Sequence, residues 1–249
     1  MTAIGPYLST LGGVAVLVTI TVAVLAGYRV PHPTAPAWAI LRGAVQLAAI
    51  SLVLGGLITH PLGIAAALVV MFAVATTTAT RRLGFSAHRF ALVSGAMAAG
   101  IAVALGVVFG THALALTGRY VLAIGGIVVG NAMTITTLAG RRFTEAAHDR
   151  WEEVEGWLAL GATPRRSTLE IARGSVRSAL IPSTDQTRTT GLVTLPGAFV
   201  GAIFGGVSPL EAGRFQIVVL AAIMAAGSIT AVLVVRGLAP VTVRPDLPS

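Results

Sequence analysis

The chain of 249 residues is 55% apolar and only 10% charged, with a mean hydropathy of +0.87. Too few polar groups remain to solvate a globule of that size, so it reads as an integral membrane protein. Its formal charge of +8 lies beside and between apolar runs, where membrane topology accounts for it without nucleic acid. The absence of cysteine excludes disulfides, thiolate metal sites and cysteine nucleophiles.

Apolar windows of about 20 residues, the length that crosses a hydrocarbon core, predict seven spans: about 8–28, 37–58, 62–80, 90–113, 120–139, 190–207 and 215–236. The expected fold is all-α and polytopic, one membrane domain over 1–249, with a long helical cytosolic loop at 140–189 between spans five and six. Met1 to Leu25 holds no Arg or Lys, so the first run is expected to stay in the membrane rather than act as a cleaved leader. Placing the N-terminus outside puts Arg29, Arg81, Arg82, Arg89 and the arginines from Arg141 to Arg188 in the cytosol, together with Arg236 and Arg244. The outer loops then keep only Arg119 and Arg214, the positive-inside bias of a multi-pass protein of the cell membrane with a cytosolic C-terminus.

Inside span two, Arg42 and Gln46 stand one turn apart on one helix face. A central arginine costs about 2.5 to 3.5 kcal/mol on insertion scales, and two readings stay open: a snorkelling anchor bonded to a neighbouring helix, or a polar path. Span five carries Asn131, Thr134, Thr136 and Thr137, amide and hydroxyl groups that either bond between helices or line a pathway, while Met133 reads as packing. All 17 basic residues are arginine, so the phosphate-binding lysine of an ATPase is missing. If ATP drives this protein, another polypeptide binds it.

The loop at 140–189 holds seven of the nine acidic residues, all but Glu211 and Asp246. A first helix is predicted from about Thr144 to Leu160, continuing span five, with Ala147, Trp151, Val154 and Trp157 or Leu158 at helical spacing. Gly161 is a natural stop, and Thr163 followed by Pro164 is an N-cap with proline at the first helical position. The next helix carries Leu169, Ala172, Val176, Ala179 and Leu180 on one face, with Arg166, Glu170, Arg173 and Arg177 on another. That arginine stripe fits an acidic protein surface or anionic headgroups. In span six, Pro196-Gly197 is expected to free backbone carbonyls, tolerable only beside protein or a water-filled cavity. His32, His60, His88, His112 and His148 fall in or beside separate loops without ligand-like spacing and read as interfacial, so a metal site stays unknown.

Several ordered motifs together resemble the FetB-type permeases, a family that includes a bacterial iron-export permease and plant proteins linked to aluminium tolerance. They are Arg42 with Gln46-Leu47, Gly130-Asn131 with Met133, Ala159 to Arg165, Pro182, Gly191 to Gly197, Ser208 to Ala212, and Arg214 to Val218. The resemblance implies the permease subunit of an ATP-binding-cassette transporter, a transport subunit rather than an enzyme, with no catalytic residue or cofactor of its own. It further implies a separate cytosolic ATPase holding ATP and Mg, two copies of the permease, and a coupling loop that here takes in Glu155, Leu160, Gly161, Ala162 and Pro164 beside Arg166, Arg173 and Arg177. The translocation candidates are Arg42, Gln46, Asn131, Thr134, Pro196 and Gly197. The chain departs from the family at Thr134, where asparagine is usual, and at Ala198, Phe199, Val200 and Ala202, which replace methionine, threonine and glutamine. That leaves the cargo open between a metal ion and another small solute. The alternative function is an ion-gradient-driven transporter, which would prefer an intramembrane carboxylate; none of the nine acidic residues falls inside a predicted span.

Overall fold

The computed structural model describes residues 5–57 and 60–246, and every regular element among them is helical. Residue 58, the end of the second predicted span, lies outside them. The chain divides into two compact units, residues 1–59 and 60–249.

In the first unit, α1 (Gly5–Gly27) and α2 (Ala35–Leu57) pack as a hairpin. Both are 23 residues long, about 35 Å at helical rise, enough to cross a hydrocarbon core. The connection between them contains Arg29 and His32 in the left-handed backbone region, at φ 57° and 55°.

The second unit is built on α3 (Pro61–Arg82), α4 (Ala87–Gly110), α5 (Gly118–Asp149), α6 (Trp151–Ala159), α7 (Pro164–Ser167), α8 (Leu169–Thr189), α9 (Gly197–Phe204) and α10 (Pro209–Leu238). Five helices of the described chain are long and apolar enough to cross a membrane: α1, α3, α4, α5 and α10. The protein is therefore an all-helical, multi-pass membrane protein. Helix starts follow local chemistry: Ser86, Thr117 and Ser208 each accept a backbone N–H in the first turn of α4, α5 and α10. Ser208-Pro209-Leu210-Glu211 adds proline at the first helical position and the acidic residue of a capping box. Arg214 then pairs with Glu211 at 3.5 Å and donates to the Ala113 carbonyl at 3.1 Å, latching the start of α10 to the α4–α5 connection.

α10 packs along α4 and α5, and α5 along α3. Small residues permit the close approach expected where lipid supplies no hydrophobic drive between helices. Gly100 lies against the Ala226 carbonyl and Thr230, and the Ile135 side chain covers Gly227. One buried cluster joins α3, α4, the first half of α5 and the first half of α10. A second joins the last half of α5, α6, α8 and the end of α10, around Phe143, Val154, Ile171, Ala179 and Val235. The end of the bundle at this second cluster is its base.

Three expectations are corrected. The sixth span at 190–207 is not one helix: α8 ends at Thr189, a compact turn follows, and α9 has only 8 residues, about 12 Å, too short to cross. Gly191 and Gly206 take φ of 89° and 88°, left-handed turns at either side of α9 that a hydropathy window does not register. Nor is 140–189 simply a loop outside the bundle, because α8 packs along both α5 and α10. α5 itself continues to Asp149 and breaks at Arg150, so the helix predicted from Thr144 is divided into the end of α5 and α6.

Candidate functional site

At the base, α6 turns into α7 through an elbow set by one glycine. The Ala162 N–H donates to the Trp157 carbonyl and the Gly161 N–H to the Leu158 carbonyl, the paired bonds of a Schellman stop. Gly161 has φ +86°, and an added Cβ would meet nothing within 4 Å, so the constraint is on backbone conformation rather than space. Thr163 is the N-cap residue of α7 and Pro164 its first position, but the Thr163 hydroxyl makes no cap; its carbonyl accepts the first intrahelical bonds, from Arg166 and Ser167. The elbow is anchored through Thr168, whose hydroxyl contacts the Pro164 carbonyl at 3.1 Å and the Ala239 carbonyl at 2.8 Å. Leu160, at the tip, is an apolar side chain left 82% exposed.

The predicted coupling residues divide between the two sides of this elbow. Glu155 is exposed on α6, Ala162 is half-buried in the turn, and Arg166 belongs to α7 rather than to the helix of Arg173 and Arg177. Arg166 and Arg173 edge a groove of about 340 Å3 between α6 and α8, with Glu153, Trp157 and Glu170. Arg173 also pairs with Glu170 at 2.7 Å, so that arginine is already partly neutralised. Arg177 edges a second groove of about 490 Å3 between α8 and the end of α10, floored by Leu169, Ala172, Val176, Val232 and Val235. Arg165 and Arg236 lie at its rim. The stripe therefore serves two grooves rather than one face.

The predicted translocation residues are also dispersed. Arg42 and Gln46 are exposed on α2, in the first unit. On α5, Asn131 is half-buried and donates to the Ile127 carbonyl at 2.9 Å, while Thr134 is exposed and donates to the Gly130 carbonyl at 3.2 Å. Thr137 donates to the Met133 carbonyl. These bonds stay within their own helix, and none ties α5 to a neighbour. Thr134 and Thr137 line a third groove together with Arg82, Leu138, Arg141, Arg142 and Glu145. Pro196 is the N-cap residue of α9 and Gly197 its first residue, so the proline interrupts no helix and frees no carbonyl: its own oxygen accepts from Val200. The described residues contain no group of three or more His, Asp or Glu placed to hold a metal ion. His148 instead meets the Pro245 carbonyl at 2.8 Å.

Residue reading missed the upper half of α8. Ser183, Thr184, Asp185, Gln186, Thr187, Arg188, Thr189 and Thr190 follow one another on or just beyond a helix that is packed lower down against α5 and α10. The signal was present as a stripe: Ile171, Ser175 and Ala179 are buried, and the same spacing continues through Pro182 and Gln186. An apolarity window could not find it because only the lower half of the stripe is apolar.

A model of the Uncharacterised protein family (UPF0014) matches residues 8–241. The chain is 34% identical over 197 residues to the UPF0014 membrane protein YjkA of Bacillus subtilis (strain 168), covering 78% of this chain and 79% of that one. It is 36% identical over 198 residues to the UPF0014 membrane protein STAR2 of Oryza sativa subsp. japonica, covering 79% and 70%. Over 198 residues it is 29% identical to the "Probable iron export permease protein FetB" of Escherichia coli (strain K12), covering 79% and 76%. No solved structure matches the chain.

Proposed function

The chain belongs to the UPF0014 family, and from that membership we propose that it is the membrane-spanning permease subunit of an ATP-binding-cassette transporter. A separate ATPase binds ATP and Mg and docks at the base, which is the cytosolic end. The observation that carries this reading is the elbow at Leu160 to Pro164: a left-handed glycine fixes it, Leu160 projects from it, and Thr168 ties it to the end of α10. A rigid knob joined to two long helices passes the movement of a docked partner into the bundle, as a flexible loop does not. Arg166, Arg173 and Arg177 edge the grooves beside it and offer charge to an acidic partner surface.

The permease is read as one domain with seven crossings, an outer N-terminus, a cytosolic C-terminus and two copies per transporter. Its sixth crossing is α8 rather than 190–207, which carries Arg188 to the outer end and leaves the arginines from Arg141 to Arg177 toward the cytosolic side. The Escherichia coli relative is named an iron export permease, which supports outward movement of a metal ion or another small solute. The test is affinity purification of the gently extracted protein from its native membrane, with ATP hydrolysis assayed in the eluate. A co-purifying cassette ATPase, lost when Arg166, Arg173 and Arg177 become glutamate, is the expected result. Purification without any ATPase, with reconstituted transport that follows an ion gradient, overturns it.

One observation favours that second reading, an ion-gradient-driven transporter: Asp185 is a carboxylate on α8, a helix packed along two membrane-crossing ones. Collapse of the gradient would then stop transport while ATP removal would not.

A further inference from the structure

Two fixed points set the depth of α8. At the base, Thr168 bonds to the Ala239 carbonyl at the end of α10. At the other end, the Thr194 N–H donates to the Thr189 carbonyl and the Gly191 N–H to the Thr194 carbonyl, closing a turn that leads within three residues into α9. α9 in turn packs on the first turns of α10, with Ala198 against the upper cluster and Phe199 nearest Gly213. From Thr168 to Thr189 a helix rises about 31 Å, and from Gly213 to Ala239 about 39 Å. The lower part of α8, through Ala179 and Leu180, thus packs in the cluster it shares with α10; beyond Pro182, counted at helical rise, Asp185 stands roughly 21 Å above the level of Arg236, and taking Arg236 as the edge of a core about 30 Å thick puts it inside.

The polar residues at that depth divide by how their groups are satisfied. The hydroxyls of Thr184, Thr187 and Thr189 donate to the Leu180, Ser183 and Asp185 carbonyls of their own helix and need nothing from outside. Asp185 and Arg188 face each other at 3.6 Å but remain largely exposed, and Gln186 is exposed although it continues the stripe of buried Ile171, Ser175 and Ala179. Charged groups facing hydrocarbon cost about 2.5 to 3.5 kcal/mol each, so this half of α8 requires water. On α5, the stripe of Ile135 and Ala139, buried in the same cluster as Ile171 and Ala179, continues one turn higher to Asn131. Because Ile135 covers Gly227, 12 residues before Ala239 on α10, Asn131 lies about 24 Å above the Ala239 level and Gln186 about 27 Å. Two helix stripes that are closed at the base therefore each carry an amide at matching depth, Asn131 interrupting the α5 stripe before it resumes at Ile127.

We propose that the upper halves of α5 and α8 border a water-accessible cleft in which Asn131 and Gln186 face the moving solute. The solute class is a small hydrated species taken up by amide and hydroxyl dipoles. The Asp185–Arg188 pair carries no net charge, so the lining selects for polarity rather than for the sign of charge. This places part of the path of the proposed permease, and rests on that reading, but not on an ATPase.

The cysteine-free chain permits a direct test. Single variants Asn131→Cys and Gln186→Cys, with Val207→Cys in an exposed turn and Ala225→Cys on the exposed apolar face of α10 as references, are reacted in native membrane vesicles with membrane-impermeant methanethiosulfonates. The cleft predicts rates at 131 and 186 within about tenfold of position 207 and at least about 100-fold above 225, with cationic and neutral hydrophilic reagents alike within about threefold. Rates no faster than at position 225 would show the stripe buried by lipid or by a second copy and overturn the cleft. A tenfold preference for either reagent would overturn the neutral lining. Should the variant at 186 fail to fold, Thr187→Cys, the exposed neighbour on the same half of α8, is labelled in its place and read against the same limits. Because labelling needs neither ATP nor a partner, a reactive position 186 in a protein that purifies without an ATPase keeps the cleft and rejects the cassette. An unreactive 186 with an ATPase bound does the reverse.

Discussion

Gly161→Ala and Gly156→Ala are five residues apart and have opposite expected signs. At Gly161 an added Cβ meets nothing within 4 Å, so its effect is the cost of holding alanine at φ +86°, about 1 to 2 kcal/mol. Gly156 is also open within 4 Å but lies inside α6, where alanine is favoured over glycine by about 1 kcal/mol. Hydrogen exchange of peptides covering residues 151–168, measured on the intact protein in detergent, reads the local opening constant. Gly161→Ala is expected to raise it roughly 5- to 30-fold and Gly156→Ala to lower it about fivefold. If the two variants move exchange in the same direction, or Gly161→Ala leaves it unchanged, the elbow is not held by the left-handed glycine, and the proposed rigid transmission from Leu160 into α8 loses its basis.

Gly100→Ala would press a Cβ to 2.6 Å from the Ala226 carbonyl and into Thr230, so α4 and α10 must part, at a cost of about 1 to 3 kcal/mol seen as a lower thermal midpoint. Thr168→Val removes the donor to the Ala239 carbonyl in a buried place; a loss of about 1 to 3 kcal/mol, or a few degrees in Tm, is expected, and an unchanged Tm would mean the base is not anchored there. Thr136→Val has the opposite sign: the Thr136 hydroxyl is buried with no hydrogen-bond partner among the described residues, so the isosteric valine is expected to leave Tm unchanged or raise it. A fall in Tm would show that the hydroxyl is engaged by a group outside the chain.

What could be read from residues alone followed the strength of the local code. The helix stop at Gly161 and the start at Pro164 rest on backbone conformations that few residues provide, and both stand where the residues placed them. The long apolar runs of α1, α3, α4, α5 and α10 needed only length and hydropathy. The sixth crossing failed for a physical reason. Hydropathy measures agreement with lipid, and the upper half of α8, with Asp185, Gln186 and Arg188, has little of it. The apolar residues at 190–207 belong instead to a turn and a helix of 8 residues, where glycine and proline decided the backbone before apolarity could. α8 shows its place only through its stripe, with Ile171, Ser175 and Ala179 closed against α5 and α10 and Gln186 in line above them. If α8 is the sixth crossing, as proposed, Asp185 leaves the cytosolic loop in which the sequence places it, and the lack of an intramembrane carboxylate no longer argues against a gradient-driven transporter. The choice between the two mechanisms therefore falls to the ATPase pull-down, because a carboxylate paired with Arg188 at 3.6 Å is compatible with either.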